Sequence, residues 1–137
     1  MKILFICKYN RFRSKFAEAY FKSKNKNKGI KVASTAIIKM DVPLTKEEKR
    51  RNLYLKKKFG ISFDIVSRGI SSKLLQKSDK IILVANDVPK KLFNGRLWRN
   101  KIEVWNVPDV KDANKRNIDK SVRIIINKVN NLLNKLK

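Results

Sequence analysis

Apolar residues along this chain fall into two kinds of run. Four short blocks are rich in β-branched and aliphatic residues and show little polar alternation: Lys2 to Ile6, Ile30 to Ser34, Lys80 to Val84 and Ile102 to Trp105. Their length and composition predict strands buried on both faces, as in a parallel sheet. Between and after them the spacing turns helical. A helix is expected from Arg13 or Ser14 to about Lys24, and a frayed Lys22–Lys28 stretch is closed by Gly29. Thr45-Lys46-Glu47-Glu48 has the form of a capping box, and the helix it opens should end at Phe59-Gly60, with Gly60 in the left-handed cap position. Phe63 to Ile70 reads as a short extended piece. Ser71 or Ser72 should cap a brief helix through Leu74-Leu75, and Asp87 to Leu92 reads as another short helix.

The last helix is predicted from about Asn114 to Leu136. Ile118, Val122, Ile125, Ile126, Val129, Leu132, Leu133 and Leu136 fall on one side at helical spacing. A core-packing helix is the expected reading. The opposite side carries Lys, Asn and Arg, a pattern that membrane-surface helices share.

Strands alternating with helices predict an α/β fold: a three-layer sandwich with a four-stranded parallel sheet flanked by helices on both faces. At 137 residues one domain over 1–137 is expected. In such sheets ligands sit beyond the carboxyl ends of the strands. Cys7, Ser34-Thr35, the stretch after Val84 and Val107-Pro108-Asp109 all lie just past those ends.

Composition narrows the chemistry. The chain has one cysteine and no histidine. An internal disulfide, a Cys/His zinc site and any imidazole base are therefore excluded. No apolar run approaches the ~20 residues of a membrane span, and the first residues lack a secretory pattern. A cytoplasmic protein is expected. The 35 Lys and Arg against 11 Asp and Glu give a net charge of +24. Such a field attracts phosphates, nucleic acid or anionic surfaces. The basic residues are spread through the chain, mostly as lysine, which fits a solvated compositional surface as well as a dedicated polyanion-binding one.

The lone cysteine stands at the tip of the first strand. Lys8-Tyr9-Asn10-Arg11-Phe12 separate it from Arg13-Ser14 at a helix start. Backbone N–H groups of a tight loop entering a helix bind anions. Positive surroundings of that kind favour a thiolate over a thiol, which makes Cys7 a candidate nucleophile. The planar fork of Arg13 matches two oxygens of a phosphoryl group. Ser14 can donate a hydrogen bond to the sulfur. Asp109, past the fourth strand, is placed to protonate a departing oxygen. The loop residues Lys8 to Phe12 and Ser14 are the candidate substrate-binding set.

These residues resemble the opening of the low-molecular-weight protein tyrosine phosphatase family: a strand, then C-x-G-N-x-C-R-S-P, then a helix containing A-E-A. The match falls at Cys7, Asn10, Arg13, Ser14 and Ala17-Glu18-Ala19. Ser34-Thr35-Ala36 resembles the family's S-A-G-T segment. Arg68 with Ile70 resembles its H-x-x-R-x-L stretch, and Pro108-Asp109-Val110 its P-D-P acid segment. The resemblance implies a phosphotyrosine protein phosphatase I-like fold and a metal-free, cofactor-free reaction through a cysteinyl-phosphate. It also implies a left-handed Asn10 whose side chain is held by Ser34 or Thr35. The implied substrate is a phosphorylated protein or a small aryl phosphate, and a monomer is expected.

The chain departs from the family pattern at several positions. Tyr9 replaces the glycine, Phe12 the second cysteine, Lys15 the proline and Ile65 the histidine. Val110-Lys111 follows the acid in place of proline and an aromatic. Tyr9, Phe12 or Trp105 is then the candidate aromatic wall. With Phe12 at its position, an oxidised Cys7 has no internal thiol to restore it. Two other readings accompany the phosphatase. One is an arsenate reductase using an external thiol, since no further cysteines exist to pass on a disulfide. The other is a catalytically weak relative that holds nucleic acid or another polyanion. Whether Asp109 faces the Cys7 loop separates the phosphatase from the last.

Overall fold

In the computed structural model, which describes residues 1–96 and 98–137, four strands form one sheet. They are β1 (Lys2–Cys7), β2 (Lys31–Ala36), β3 (Lys80–Val84) and β4 (Ile102–Trp105). All three pairings are parallel, and the order is β2-β1-β3-β4. The helices are α1 (Arg13–Lys24), α2 (Lys46–Phe59), α3 (Ser72–Lys77) and α4 (Lys115–Lys135).

The unbroken apolar strands divide their side chains between two cores. Ile3, Phe5, Ile82, Val84 and Trp105 face a cluster completed by Phe16 and Phe21 of α1, Leu55 of α2 and the inner side of α4. Leu4, Ile6, Ile81 and Leu83 face a second cluster with Leu75 of α3 and Phe93. This is the expected three-layer arrangement. The α4 stripe is core: Ile118, Val122, Ile125 and Val129 are fully buried. At roughly 1.5–3 kcal/mol for each buried side chain, that burial decides the position of α4 in favour of packing. Among the described residues no helix is long and apolar enough to cross a membrane.

The segment from Phe63 to Ile70 carries a single bridge, between Gly69 and Ala36. One local expectation is corrected. Between Asp87 and Leu92 there is no α-helix; a 3-10 turn covers Lys90–Phe93, after Pro89. Pro89 has no N–H to donate to a helix begun before it, and the Asp87 side chain is engaged elsewhere. Ser71 caps α3 through its hydroxyl, and the Thr45–Glu48 capping box and left-handed Gly60 are present on α2.

The sheet order fixes where a ligand can sit. From β1 the chain moves outward to β2, then returns to the other side of β1 to add β3 and β4. The connections therefore diverge between β1 and β3, which opens a crevice at their carboxyl ends. Cys7 is the last residue of β1 and lies at that switch point.

Candidate active site

The loop from Lys8 to Phe12 turns the chain from β1 into α1, and it does so around Asn10. Asn10 is the only described non-glycine residue with positive φ, at 53°. Asparagine tolerates this region better than most residues, and here its amide is fully used. Nδ2 donates to Ser14 Oγ at 2.7 Å and to Ser34 Oγ at 3.0 Å, while Oδ1 accepts the Arg68 N–H at 3.0 Å. Tyr9 keeps an ordinary negative φ, so its Cβ costs no backbone strain where the family carries glycine. Ser67 Oγ donates to the Tyr9 carbonyl at 2.8 Å, a second tie between the 61–70 segment and the loop.

The hydrogen-bond directions around Cys7 follow from the amide. Nδ2 can only donate, so Ser14 Oγ accepts from it and keeps its own proton for Cys7 Sγ, 3.0 Å away. Ser34 likewise accepts from Asn10 and donates to Glu18 Oε1 at 2.6 Å. Asn10, Ser14, Ser34 and Cys7 are all buried. Thr35, grouped with Ser34 as loop support in the sequence, does not join: its Oγ1 is buried without a hydrogen-bond partner.

Arg13 opens α1 and is 1% exposed. Its Nη1 donates to Asp87 Oδ1 and to the Val107 carbonyl, both at 2.9 Å, and Nη2 reaches Asp87 Oδ2 at 3.3 Å. Its Nε is buried with no hydrogen-bond partner. Asp109 Oδ1 stands 3.6 Å from that nitrogen and accepts the Val110 N–H at 2.9 Å. The N-terminus of α1 has no side-chain cap and no acidic residue in its first turn. The orphan N–H groups of such a terminus favour an anion.

A cavity of about 280 Å³ opens over these groups, and Cys7, Tyr9, Arg13 and Asp109 share its lining. The acid therefore faces the cysteine loop. Met40, Val42 and Pro43 supply an apolar side, and Lys111 the opposite rim. Two ammonium groups approach the Tyr9 ring, Lys8 Nζ at 5.2 Å and Lys111 Nζ at 5.4 Å from its centre. Tyr9 and Phe12 are the two aromatic residues that line the cavity.

Trp105, the third candidate for an aromatic wall, is corrected. Trp105 is buried against Phe5, 5.7 Å between ring centres, and donates Nε1–H to Glu103. Phe12 is buried in the core as well, and it also lines the cavity. Arg11 lines the same cavity, but its guanidinium is already engaged. It donates to Glu48 through Nε and Nη2, and to the Val42 and Pro43 carbonyls. Burial pushes the Glu48 carboxyl up, but the Arg11 hydrogen bonds and the Thr45 N–H outweigh it and hold it below its usual value. Lys15 is buried as well and reaches Asp64 at 2.9 Å.

Three participants were not singled out from the sequence. Asp87 follows β3 by a few residues, and an acid just beyond a strand end is the signal that would have marked it. Glu18 stands in the A-E-A run. Arg51 lies midway along α2 among lysines and arginines, with nothing local to set it apart, yet it is 1% exposed. Among the described residues no group of three His, Cys, Asp or Glu could hold a metal ion.

Comparisons with known proteins agree with this geometry. The model of the low molecular weight phosphotyrosine protein phosphatase family matches residues 2–137. Comparison with curated protein sequences finds no match. Among solved structures, the chain is similar to a low molecular weight protein tyrosine phosphatase from T. tengcongensis, with a TM-score of 0.81 and 22% identity over 98% of this chain and 99% of that one. It is similar to a protein tyrosine phosphatase from Entamoeba histolytica, with a TM-score of 0.79 and 24% identity over 99% and 96%. It is also similar to an arginine phosphatase from Geobacillus stearothermophilus, with a TM-score of 0.81 and 18% identity over 98% and 92%. At these identities the neighbours speak for the fold, while the family model spans nearly the whole sequence. The chain belongs to the low molecular weight phosphotyrosine protein phosphatase family and is a cysteine-dependent phosphatase.

Proposed function

We propose that Cys7 is the nucleophile, Arg13 the phosphoryl-binding group and Asp109 the general acid of a metal-free hydrolysis of phosphotyrosine-type monoesters. The observation that carries this reading is the buried Arg13 Nε, which has no hydrogen-bond partner, in a cavity that Arg13 lines with Cys7 and with Asp109, whose Oδ1 is 3.6 Å from that nitrogen. A buried N–H without an acceptor is costly, and an oxygen of a bound phosphoryl group would satisfy it. Cys7 Sγ attacks phosphorus as the P–O bond to the leaving group breaks, and the leaving oxygen takes the proton of Asp109. In the second step Asp109, now a carboxylate, takes a proton from water. The water oxygen attacks phosphorus, the S–P bond breaks and the thiolate returns. The Ser14 hydroxyl steadies the sulfur in both steps.

The loop amides from Lys8 to Phe12 would hold the phosphoryl oxygens, and Tyr9 with the Met40–Pro43 side would take an aryl group. The natural substrate on this reading is a phosphorylated protein, met by a monomer in the cytoplasm. The +24 charge would favour acidic sequence around the phosphorylated residue. The experiment is hydrolysis of p-nitrophenyl phosphate in excess EDTA, followed by phosphate release from phosphotyrosyl and phosphoarginyl peptides. Turnover in EDTA and release from the phosphotyrosyl peptide are expected. Turnover that requires added metal would contradict the mechanism, and release from the phosphoarginyl peptide alone would contradict the substrate.

A further inference from the structure

Arg51 is a buried cation without a salt bridge. It lies on the inner side of α2, 1% exposed, and no carboxylate comes within ion-pair distance of it among the described residues. A buried charge is expensive unless its hydrogen bonds are made, and Arg51 makes them with backbone from two separate loops. Nη1 donates to the Val110 carbonyl at 2.8 Å, and Nη2 to the Arg11 carbonyl at 3.0 Å. The guanidinium carbon sits 4.8 Å from the centre of the Phe12 ring, and Nε meets the neighbouring Asn52 side chain at 3.1 Å. Arg11 and Phe12 belong to the loop between Cys7 and Arg13. Val110 is the residue whose N–H fixes the Asp109 carboxylate. One planar fork therefore spans the nucleophile loop and the acid loop.

We infer that Arg51 is a positioning residue that sets the distance between the Cys7 loop and Asp109, and so governs proton delivery to the leaving group. The inference rests on the proposed role of Asp109. A lysine could not do the same work, because a single ammonium on a flexible stem does not present two parallel donors in a fixed plane. Burial lowers the pKa of Arg51, and the nearby charges of Glu48 and Asp109 oppose that. The cation is therefore held by the same site whose geometry it sets. Misplacement of an acid by even a small distance weakens general acid catalysis, which contributes about 10²–10⁴-fold where it operates.

The experiment compares aryl phosphates of rising leaving-group basicity, from 2,4-dinitrophenyl to phenyl phosphate, in wild type, Asp109→Asn, Arg51→Lys and Arg51→Met. Circular dichroism identifies the variants folded at the assay temperature, and Arg51→Lys, which keeps the cation, covers the case in which Arg51→Met does not fold. The dinitrophenolate leaves without a proton, so phosphoryl transfer from it to Cys7 reports on the nucleophile without the acid. The expected result is a loss in kcat/KM, which reads phosphoryl transfer to Cys7, of about 10-fold or more for phenyl phosphate in the Arg51 variants, with little loss for the dinitrophenyl ester. Arg51→Lys should be milder than Arg51→Met. Equal loss of kcat/KM for all leaving groups, or no loss, in the Arg51 variants beside a steep Asp109→Asn series in kcat/KM would overturn the role of Arg51 alone. A flat Asp109→Asn series would overturn the acid assignment and the inference together.

Discussion

At the scale of single residues, the site is built on polar groups that have little freedom left. Asn10 spends its side chain on three partners, and this fixes which way the Ser14 proton points. Removing that proton should therefore act on chemistry more than on folding. Ser14→Ala is expected to lower kcat by about 10–100-fold, the worth of one hydrogen bond to a charged group, while the melting temperature shifts far less than kcat suggests. Steady-state rates and a thermal scan on the same sample check it. An unchanged kcat would mean that the sulfur needs no donor from Ser14. Much of this was legible in the sequence. Cys7, Asn10, Arg13, Ser14 and Asp109 were all candidates, because strand tip, loop, helix start and a later acid are local patterns. Arg51, Asp87 and Glu18 were not, because their roles depend on what the fold brings beside them. Arg51 looks like any solvated helix arginine until Val110 and Arg11 are packed against it. Arg11 failed in the opposite sense: its place in the loop suggests a ligand contact, but Glu48 and two carbonyls capture it.

Among the elements, the 61–70 segment is the least regular and yet holds the loop from one side. Ser67 and Arg68 bond Tyr9 and Asn10, while Asp64 anchors the segment through Lys15 and Arg68. Burial pushes the Asp64 carboxyl up, but hydrogen bonds from Lys15, Arg68 and the Val66 N–H outweigh it and bring it from 3.8 to about 2. Its folded pKa thus lies below the unfolded value, so its contribution is present above about pH 3.8 and is lost as pH falls through about 2. Asp64→Asn should lower stability at neutral pH and flatten the pH dependence across that window. Urea unfolding of both proteins between pH 2 and 5 is the check, and parallel stability curves would contradict it. The sequence reads Phe63 to Ile70 as a short extended piece. Ile65 and Val66 are exposed, at 62% and 54%, and the segment is held by side chains and not by a ladder. Period and composition could not reveal that, whereas the capping box of α2 and the stripe of α4 were plain because their signals are local and repeated.

For the whole molecule, sheet order carries the argument from sequence to site. Parallel pairing was implied by strand–helix alternation, but the order β2-β1-β3-β4 places the switch point at Cys7. The Cys7 loop, Asp87 and Asp109 meet there although they are far apart in the chain. The net charge is +24, and its lysines are spread over every helix. The central claim is that this convergence makes Cys7 a nucleophile, and the most direct measurement is hydrolysis of p-nitrophenyl phosphate by wild type and Cys7→Ser side by side, in EDTA, with both shown folded. Removal of a covalent nucleophile predicts a loss of about 10⁴-fold or more. Turnover by Cys7→Ser near the wild-type rate would contradict the account.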